Sequence, residues 1–462
     1  MAGNHKGYRP ARHSLELREW SEGGGARDGQ GIEEDSGEDR DMSDSNLLIE
    51  PLPPGWKNHR FGDACARVND SYQPVENGDT PYVGLEHLAH GFPAFVGYGK
   101  ECEVKSSKTA FKTGDILFGK LRPYLRKGAR ADFDGVCSTD ILAFRAKAAC
   151  ESEFLKFVIH SDHFVAHAKS TTTGVQHPRT SWPSLREFRL SLPPLPEQKK
   201  IAHILSTVQR AIEAEERIIQ TTTELKKALM HKLFTEGLRG ERQKQTEIGR
   251  VPESWNTPTI ESVCTIKASA MSYKQLEDAA NHSDGVHVIG VKVSDMNLPG
   301  NEIEFRSANL ARKLPKNVAL KRTVPASSII FPKRGAAIAT NKKRLTTGYT
   351  VLDPNLIAVK PTRAVNQRYL FHWFNTLDLK KITDPGPTPQ LNKKNIAPLK
   401  FPLPPIEEQE AIAAALDTAE EKATLHARKH KQFRDLFRTL LDELMTAKTR
   451  VHELTFTKHN HE

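Results

Sequence analysis

Cysteine is scarce and unpatterned in this chain. Cys65, Cys102, Cys137, Cys150 and Cys264 form no C-x-x-C pair and leave an odd number, which excludes a disulfide scaffold and a cysteine-ligated zinc finger and fits a reducing compartment. No apolar run approaches the ~18 residues of a membrane span, and the first residues lack the apolar stretch of a signal peptide. A cytoplasmic protein that does not meet a membrane is expected. Catalytic signatures are equally thin. No N/D-P-P-F/Y loop of an amino-methyltransferase occurs, so Phe95-Val96-Gly97-Tyr98-Gly99, which has F-x-G-x-G spacing, reads as a turn between short strands. Gly97-Tyr98-Gly99-Lys100 is not a complete P-loop, and the histidines form no H-E-x-x-H. Glu103-Val104-Lys105 has the E-x-K form used by nucleases but no identified acidic partner. The expectation is a chain with no catalytic residue, no metal site and no cofactor of its own.

What is present is length, charge and repetition. The 462 residues suit two or three domains, each able to bury a core. Lys and Arg number 67 against 57 Asp and Glu, a net +10. Residues 1–50 hold 12 acids and 6 bases, or −6, which leaves +16 on 51–462. A basic body suggests a polyanionic partner, nucleic acid being the commonest, although many soluble proteins are mildly basic. Residues 1–50, with Gly23, Gly24, Gly25 and the acids Glu33, Glu34, Asp35, Glu38, Asp39 and Asp41, sustain no helical or strand period and read as a disordered acidic tail. Met42 is an alternative start.

The remainder is a duplication. Leu192-Pro193-Pro194-Leu195-Pro196-Glu197-Gln198 recurs 211 residues later as Leu403-Pro404-Pro405-Ile406-Glu407-Glu408-Gln409. Pro53-Pro54-Gly55-Trp56 is echoed by Pro252-Glu253-Ser254-Trp255, Gly114–Phe118 by Ser327–Phe331, and Asp140–Phe144 by Asn355–Val359. Loops differ in length while the elements stay in order. Each copy opens with a mixed segment of short β-branched and aromatic runs, Gly/Pro turns and one helix, expected over Glu151–Phe164 and Gln367–Leu379. Trp56 and Trp255 read as core anchors.

A long helix closes each copy, about 197–236 and 407–447. The Pro-Pro stop ends the preceding strand, and Glu197 and Gln198 fall in the first turn near the positive helix end. Ile412, Leu416, Ala419, Ala423, His426, His430, Phe433, Phe437, Leu440 and Leu444 follow alternating steps of four and three, a heptad seam. The same register in the first helix gives Ile201, Leu205, Val208, Ile212, Glu215, Ile219, Thr222, Lys226, Leu229 and Leu233. Its polar members, Glu215, Thr222, Lys226, His426 and His430, read as register-setting positions or solvated edges. Two rods of roughly 60 Å with matching seams are expected to pair as a coiled coil, and duplication favours an antiparallel, pseudo-twofold arrangement with one globular unit at each end. The alternative is two long helices packed on their own domains.

Two variable units, each followed by L-P-P-(L/I)-x-E-Q and a long helix, resemble the specificity subunit of type I restriction–modification enzymes. The resemblance covers about 51–447. It implies an α+β chain with two mixed α/β target-recognition domains in tandem, 51–194 and 252–404. Spacer helices over 195–237 and 405–447 would pair as an antiparallel coiled coil, with a linker at 238–251 and a tail at 448–462. It further implies a non-catalytic subunit that reads a bipartite, asymmetric site in double-stranded DNA. Two modification (methyltransferase) subunits and two restriction (translocase/nuclease) subunits would join it. S-adenosylmethionine, ATP and Mg²⁺ would sit on those partners. The other readings are a scaffold joining two partners without sequence-specific DNA binding, or a self-sufficient enzyme fragment, which the missing catalytic loop disfavours.

Candidate DNA contacts come from composition. Lys120, Arg122, Arg126, Lys127 and Arg130 follow the Ile116-Leu117-Phe118 strand, and Lys333, Arg334, Asn341, Lys342, Lys343 and Arg344 occupy the matching place in the second copy. Such residues neutralise phosphates, and Arg or Asn also reads base edges; a solvated charge run is the alternative. A Gly-polar loop before each long helix supplies Gln176 and Arg179, and then Gln390, Lys393 and Lys394. It either approaches DNA closely or shapes the turn into the helix.

Overall fold

The computed structural model describes residues 47, 49, 51–384, 386 and 388–454, all within one compact unit, Asn46–Glu462. The acidic tail and the alternative start at Met42 lie outside the described residues. Leu47 and Ile49 are the exception and correct the tail's expected extent. Leu47 is buried, its N–H donating to the Arg189 carbonyl (3.0 Å), and the Ile49 N–H donates to Ser191 Oγ (3.2 Å).

Besides a two-stranded ladder, Lys57–Arg60 with Arg189–Leu192 in the first and Gln243–Thr246 with Gly249–Pro252 in the second, each copy builds two small sheets. In the first, Cys65–Arg67, Ile141–Ala146, Ile116–Gly119 and Gly128–Arg130 lie in that order, all antiparallel. Its second sheet orders Ser71–Tyr72, Lys108–Phe111, Gly135–Cys137, Pro81–Val83 and Gly99–Lys100, with one parallel pair, Tyr82 beside Val136. The second copy repeats the plan. Cys264–Lys267, Leu356–Pro361, Ile329–Pro332 and Arg344–Thr346 run in the same order, and Val286–Val291 pairs in parallel with Tyr349–Leu352. Ile116, Leu117 and Phe118, like Ile329, Ile330 and Phe331, are buried on both faces, which is why these strands read as continuous apolar runs rather than alternating ones.

The helix expected over Glu151–Phe164 is broken in two, Ser152–Val158 and Asp162–Ser170. Ser161 caps the second piece by accepting from the Phe164 N–H (3.3 Å), and the buried His160 ring bonds the Gly128 carbonyl (3.0 Å). A hydroxyl that satisfies a free amide competes with helix continuation. The second copy has Gln367–Thr376 and then a 3-10 turn, Leu379–Ile382.

The long helices run Leu195–Glu236 and Ile406–Met445, 42 and 40 residues. Gly237 ends the first with φ +67°, backbone that glycine adopts without strain. Their starts are bolted to the globular units identically. Gln198 Oε1 accepts from the Glu151 N–H (2.8 Å), while its Nε2 donates to the carbonyls of Ala149 (3.0 Å) and Pro193 (2.9 Å). Gln409 does the same with Asn366 (2.8 Å), Ala364 (3.1 Å) and Pro404 (2.9 Å). The buried Trp56 indole donates to Glu197 (3.1 Å), and Trp255 donates to Glu408 (3.2 Å). This duplicated clasp is the physical content of the repeated P-x-x-W and E-Q.

The helices pair antiparallel. Ile201, Leu205 and Ile212 share a core with Phe437 and Leu444; Leu233 shares one with Ile412 and Leu416. Early residues of one helix thus meet late residues of the other. Val208, Phe433 and Leu440 pack at the margin of the first core, Leu229 at that of the second, and Ile219 is half-buried near the middle. Polar seam positions are paired across the interface, His426 with Glu215 (2.5 Å), and Lys226 with Glu420 beside the seam. The first core also contains Phe61, Phe144 and Phe157 of the first unit, and the second contains Phe331, Tyr369 and Trp373 of the second. The globular units therefore sit at opposite ends of a rod of roughly 60 Å.

Removing either glutamine strands one half-buried amide and two carbonyls, at about 2 kcal/mol. Q198A is expected to cost the Glu151 amide its protection from hydrogen exchange while leaving Asn366 protected, and Q409A to do the reverse. Loss of both in either variant would show that the clasps are not separate.

Candidate nucleic-acid interface

The two basic segments expected in each copy come together through a short backbone ladder. In the first unit the Arg122 N–H donates to the Pro178 carbonyl (2.8 Å) and the Thr180 N–H to that of Lys120 (3.1 Å), and Leu121 bridges Arg179. In the second the Gly335 N–H donates to Pro389 (2.9 Å) and the Leu391 N–H to Lys333 (2.9 Å), and Arg334 bridges Gln390. Each Gly-polar loop closes on itself in the same way, Thr173 with Arg179 and Asp384 with Gln390. Pro385 and Pro387 of that loop lie outside the described residues. Both units thus present one platform made of two loops, on a common backbone with different side chains.

The side chains divide into two sets. The side chains of Lys120, Arg122 and Gln176 in the first unit, and of Lys333, Arg334, Gln390 and Lys393 in the second, make no hydrogen bond or ion pair with the described residues; Arg122, Gln176, Arg334 and Lys393 are exposed. These are available to an outside ligand. The others are engaged by the fold. Arg126 reaches the His160 carbonyl (3.3 Å) and Asp162 (2.5 Å), Lys127 the Leu85 carbonyl (2.6 Å), and Arg130 reaches Ser152 (3.0 Å) and Glu153 (3.4 Å). Arg179 forks onto Asp140 (2.8 and 3.3 Å), whose carboxyl is held below its ordinary range by those hydrogen bonds. Lys394 pairs with Asp384 (2.9 Å), and Lys342 with Asn297.

Against expectation, three of these residues are turned inward. Lys343 is 2% exposed and donates to the Leu377 carbonyl (2.8 Å) and Asn341 Oδ1 (2.8 Å). Asn341 donates to the same carbonyl (3.1 Å) and accepts from the Leu379 N–H (2.9 Å). Arg344 binds the carbonyls of Lys343 (2.8 Å) and Met296 (3.1 Å). Asn341 and Lys343 pin the loop at the entry to the 3-10 turn Leu379–Ile382, and Arg344 ties it to Met296. A basic run in sequence states its charge and not its direction. Sequence reading also passed over Asp140, which orients Arg179. The signal was its place at the head of a repeated strand, where the second copy has Asn355.

Among the described residues no cluster of His, Cys, Asp or Glu could hold a metal ion, and no helix is long and apolar enough to cross a membrane. Against known proteins, residues 53–224 and 252–433 match the type I restriction modification DNA specificity domain. The chain is 24% identical over 427 residues to the specificity subunit of the type I restriction enzyme MjaVIII from Methanocaldococcus jannaschii, covering 88% of this chain and 95% of the relative. It is 26% identical over 202 residues to the EcoDI specificity subunit of Escherichia coli, 43% of this chain and 45% of that one. The crystal structure of the type I restriction–modification S subunit from M. genitalium superposes with a TM-score of 0.56 at 14% identity, covering 87% of this chain and 99% of the other. The chain belongs to the type I restriction–modification DNA specificity family. It is a DNA-recognition subunit, and it is not itself an enzyme; the readings as a scaffold indifferent to DNA or as a self-sufficient enzyme gain no support.

Burial holds the Lys343 ammonium down at about 8, against ~10.4 in an unfolded chain. Between those values the unfolded state keeps a proton that the folded state has released, so stability rises with pH, by on the order of 2–3 kcal/mol at most. K343M is expected to remove this increment in denaturant titrations at pH 7.5 and 10.5; an unchanged pH dependence would place the ammonium in water.

Proposed function

We propose that the chain reads a bipartite, asymmetric DNA site, each unit gripping one half through its two-loop platform, and that the paired helices set the distance and rotational phase between halves. The carrying observation is the same platform built twice, at opposite ends of a rod whose length is roughly two turns of B-DNA. Lys120, Arg122, Lys333, Arg334 and Lys393 are the side chains best placed for phosphates, and Arg122, Gln176, Arg334 and Gln390 for base edges. The engaged residues, Arg126, Lys127, Arg179, Lys342 and Lys394, shape the platform.

Two modification subunits and two restriction subunits complete the assembly in this reading, which works in the cytoplasm. The pseudo-twofold supports paired docking: exposed Leu225 and Leu436 occupy equivalent places on the two helices, 62% and 44% exposed. S-adenosylmethionine for adenine methylation, and ATP and Mg²⁺ for cleavage, belong to those partners.

The test adds or removes four residues, about one helical turn, in either long helix, and maps methylated adenines in host DNA. The unread gap is expected to change length while both half-site sequences stay the same. Altered half-site sequences would end the role of the helices as a ruler. Binding equal for every duplex sequence, with a steep salt dependence, would instead favour a chain held only by phosphates.

A further inference from the structure

Tyr124 is an exposed aromatic on a rigid mount. It occupies the 3-10 turn Pro123–Leu125, flanked by Arg122 and Arg126, both with left-handed backbone (φ 51° and 49°). Residues with a Cβ avoid that region unless their surroundings impose it, and where it persists it clusters at binding sites. Here it is imposed from every side. The Arg122 N–H is tied to Pro178 (2.8 Å), the Leu125 carbonyl accepts from the Gly91 N–H (3.1 Å), and the Arg126 guanidinium is locked between His160 and Asp162. Pro123 is buried. Tyr124 is 48% exposed, and neither its ring nor its hydroxyl has a partner among the described residues.

An exposed ring on a backbone mount held this firmly does not serve the core. Its neighbourhood suits a nucleic acid better than a protein, with the unpaired cations Lys120 and Arg122 on the same loop and Gln176 in the loop laddered to it. The second unit builds the equivalent turn as Gly335–Thr340, whose only large side chain, Ile338, is buried. The aromatic is specific to the first unit.

We propose that Tyr124 is a wedge: its ring stacks on a base at a partly unstacked step of the half-site read by the first unit, while Arg122 holds an adjacent phosphate. The second unit reads its half without one. Selectivity at that step comes from how readily the DNA deforms as well as from hydrogen bonds. This rests on the DNA-reading function proposed above.

Methylated adenines are mapped in cells carrying the native partner subunits and the full chain as wild type, Y124A or Y124F. Y124F keeps the ring and is expected to keep the wild-type motif. Y124A is expected to relax one half of the motif at one or two adjacent positions, with use of the altered sites rising about five- to a hundredfold relative to the cognate site, and to leave the other half untouched. An unchanged motif in Y124A, relaxation of both halves, or a Phe variant that behaves like Ala overturns the wedge. Loss of the copurifying modification subunit with an unaltered motif overturns it too, and assigns Tyr124 to a protein interface. A wild-type chain that yields no bipartite motif defeats the function itself, a result distinct from all of these.

Discussion

A buried carboxylate at the start of each long helix holds the molecule together. Glu197 and Glu408 are 4% and 3% exposed, and an unpaired charge at that depth is strongly destabilising. Each is satisfied from two directions. The tryptophan of its own unit donates one hydrogen bond. The segment following the other helix supplies the rest: Arg450 to Glu197 (2.8 and 3.1 Å), and Arg239 (3.5 Å) with the Leu238 N–H (2.9 Å) to Glu408. A globular unit, the start of its own helix and the end of the opposite helix therefore meet at one charge. The rod has defined ends only when both junctions close, and closing them places the units apart.

That frame is symmetric, and its surface is not. The backbone ladder under the recognition platform is the same in both units, but Leu121, Arg122 and Arg179 stand where the second unit has Arg334, Gly335 and Gln390. Side chains on a constant backbone change freely without disturbing the core behind them, which lies in Ile116–Phe118 and Ile329–Phe331. An asymmetric site is the natural target of such a molecule: two equivalent mounts, each carrying its own reading residues.

Much of this was legible in the sequence, because its causes are local or repeated. The proline stop acts within a few residues; the E-Q motif and the heptad seam have distant partners, but duplication displayed them twice. What escaped depends on distant partners. Arg450 falls in what read as a tail, and nothing nearby in sequence indicates Glu197. Lys343 sits in a run of bases and gives no local sign that Leu377, far along the chain, takes its ammonium inward. At the break, the local Ser161 cap is joined by a distant partner, the Gly128 carbonyl that the His160 ring bonds. Composition marks the basic loops in the chain, while the bonds that decide which of their side chains face outward are nonlocal.

The antiparallel rod with units at opposite ends is tested most directly by distances between spin labels on the long helices of the full chain, with exposed Cys102 replaced by serine. Labels at Lys199 and Glu407, the two helix starts, are expected roughly 60 Å apart, a full rod length, while labels at Lys199 and Thr439 lie close together. A short distance between the two starts would make the helices parallel, bring both units to one end, and contradict the account.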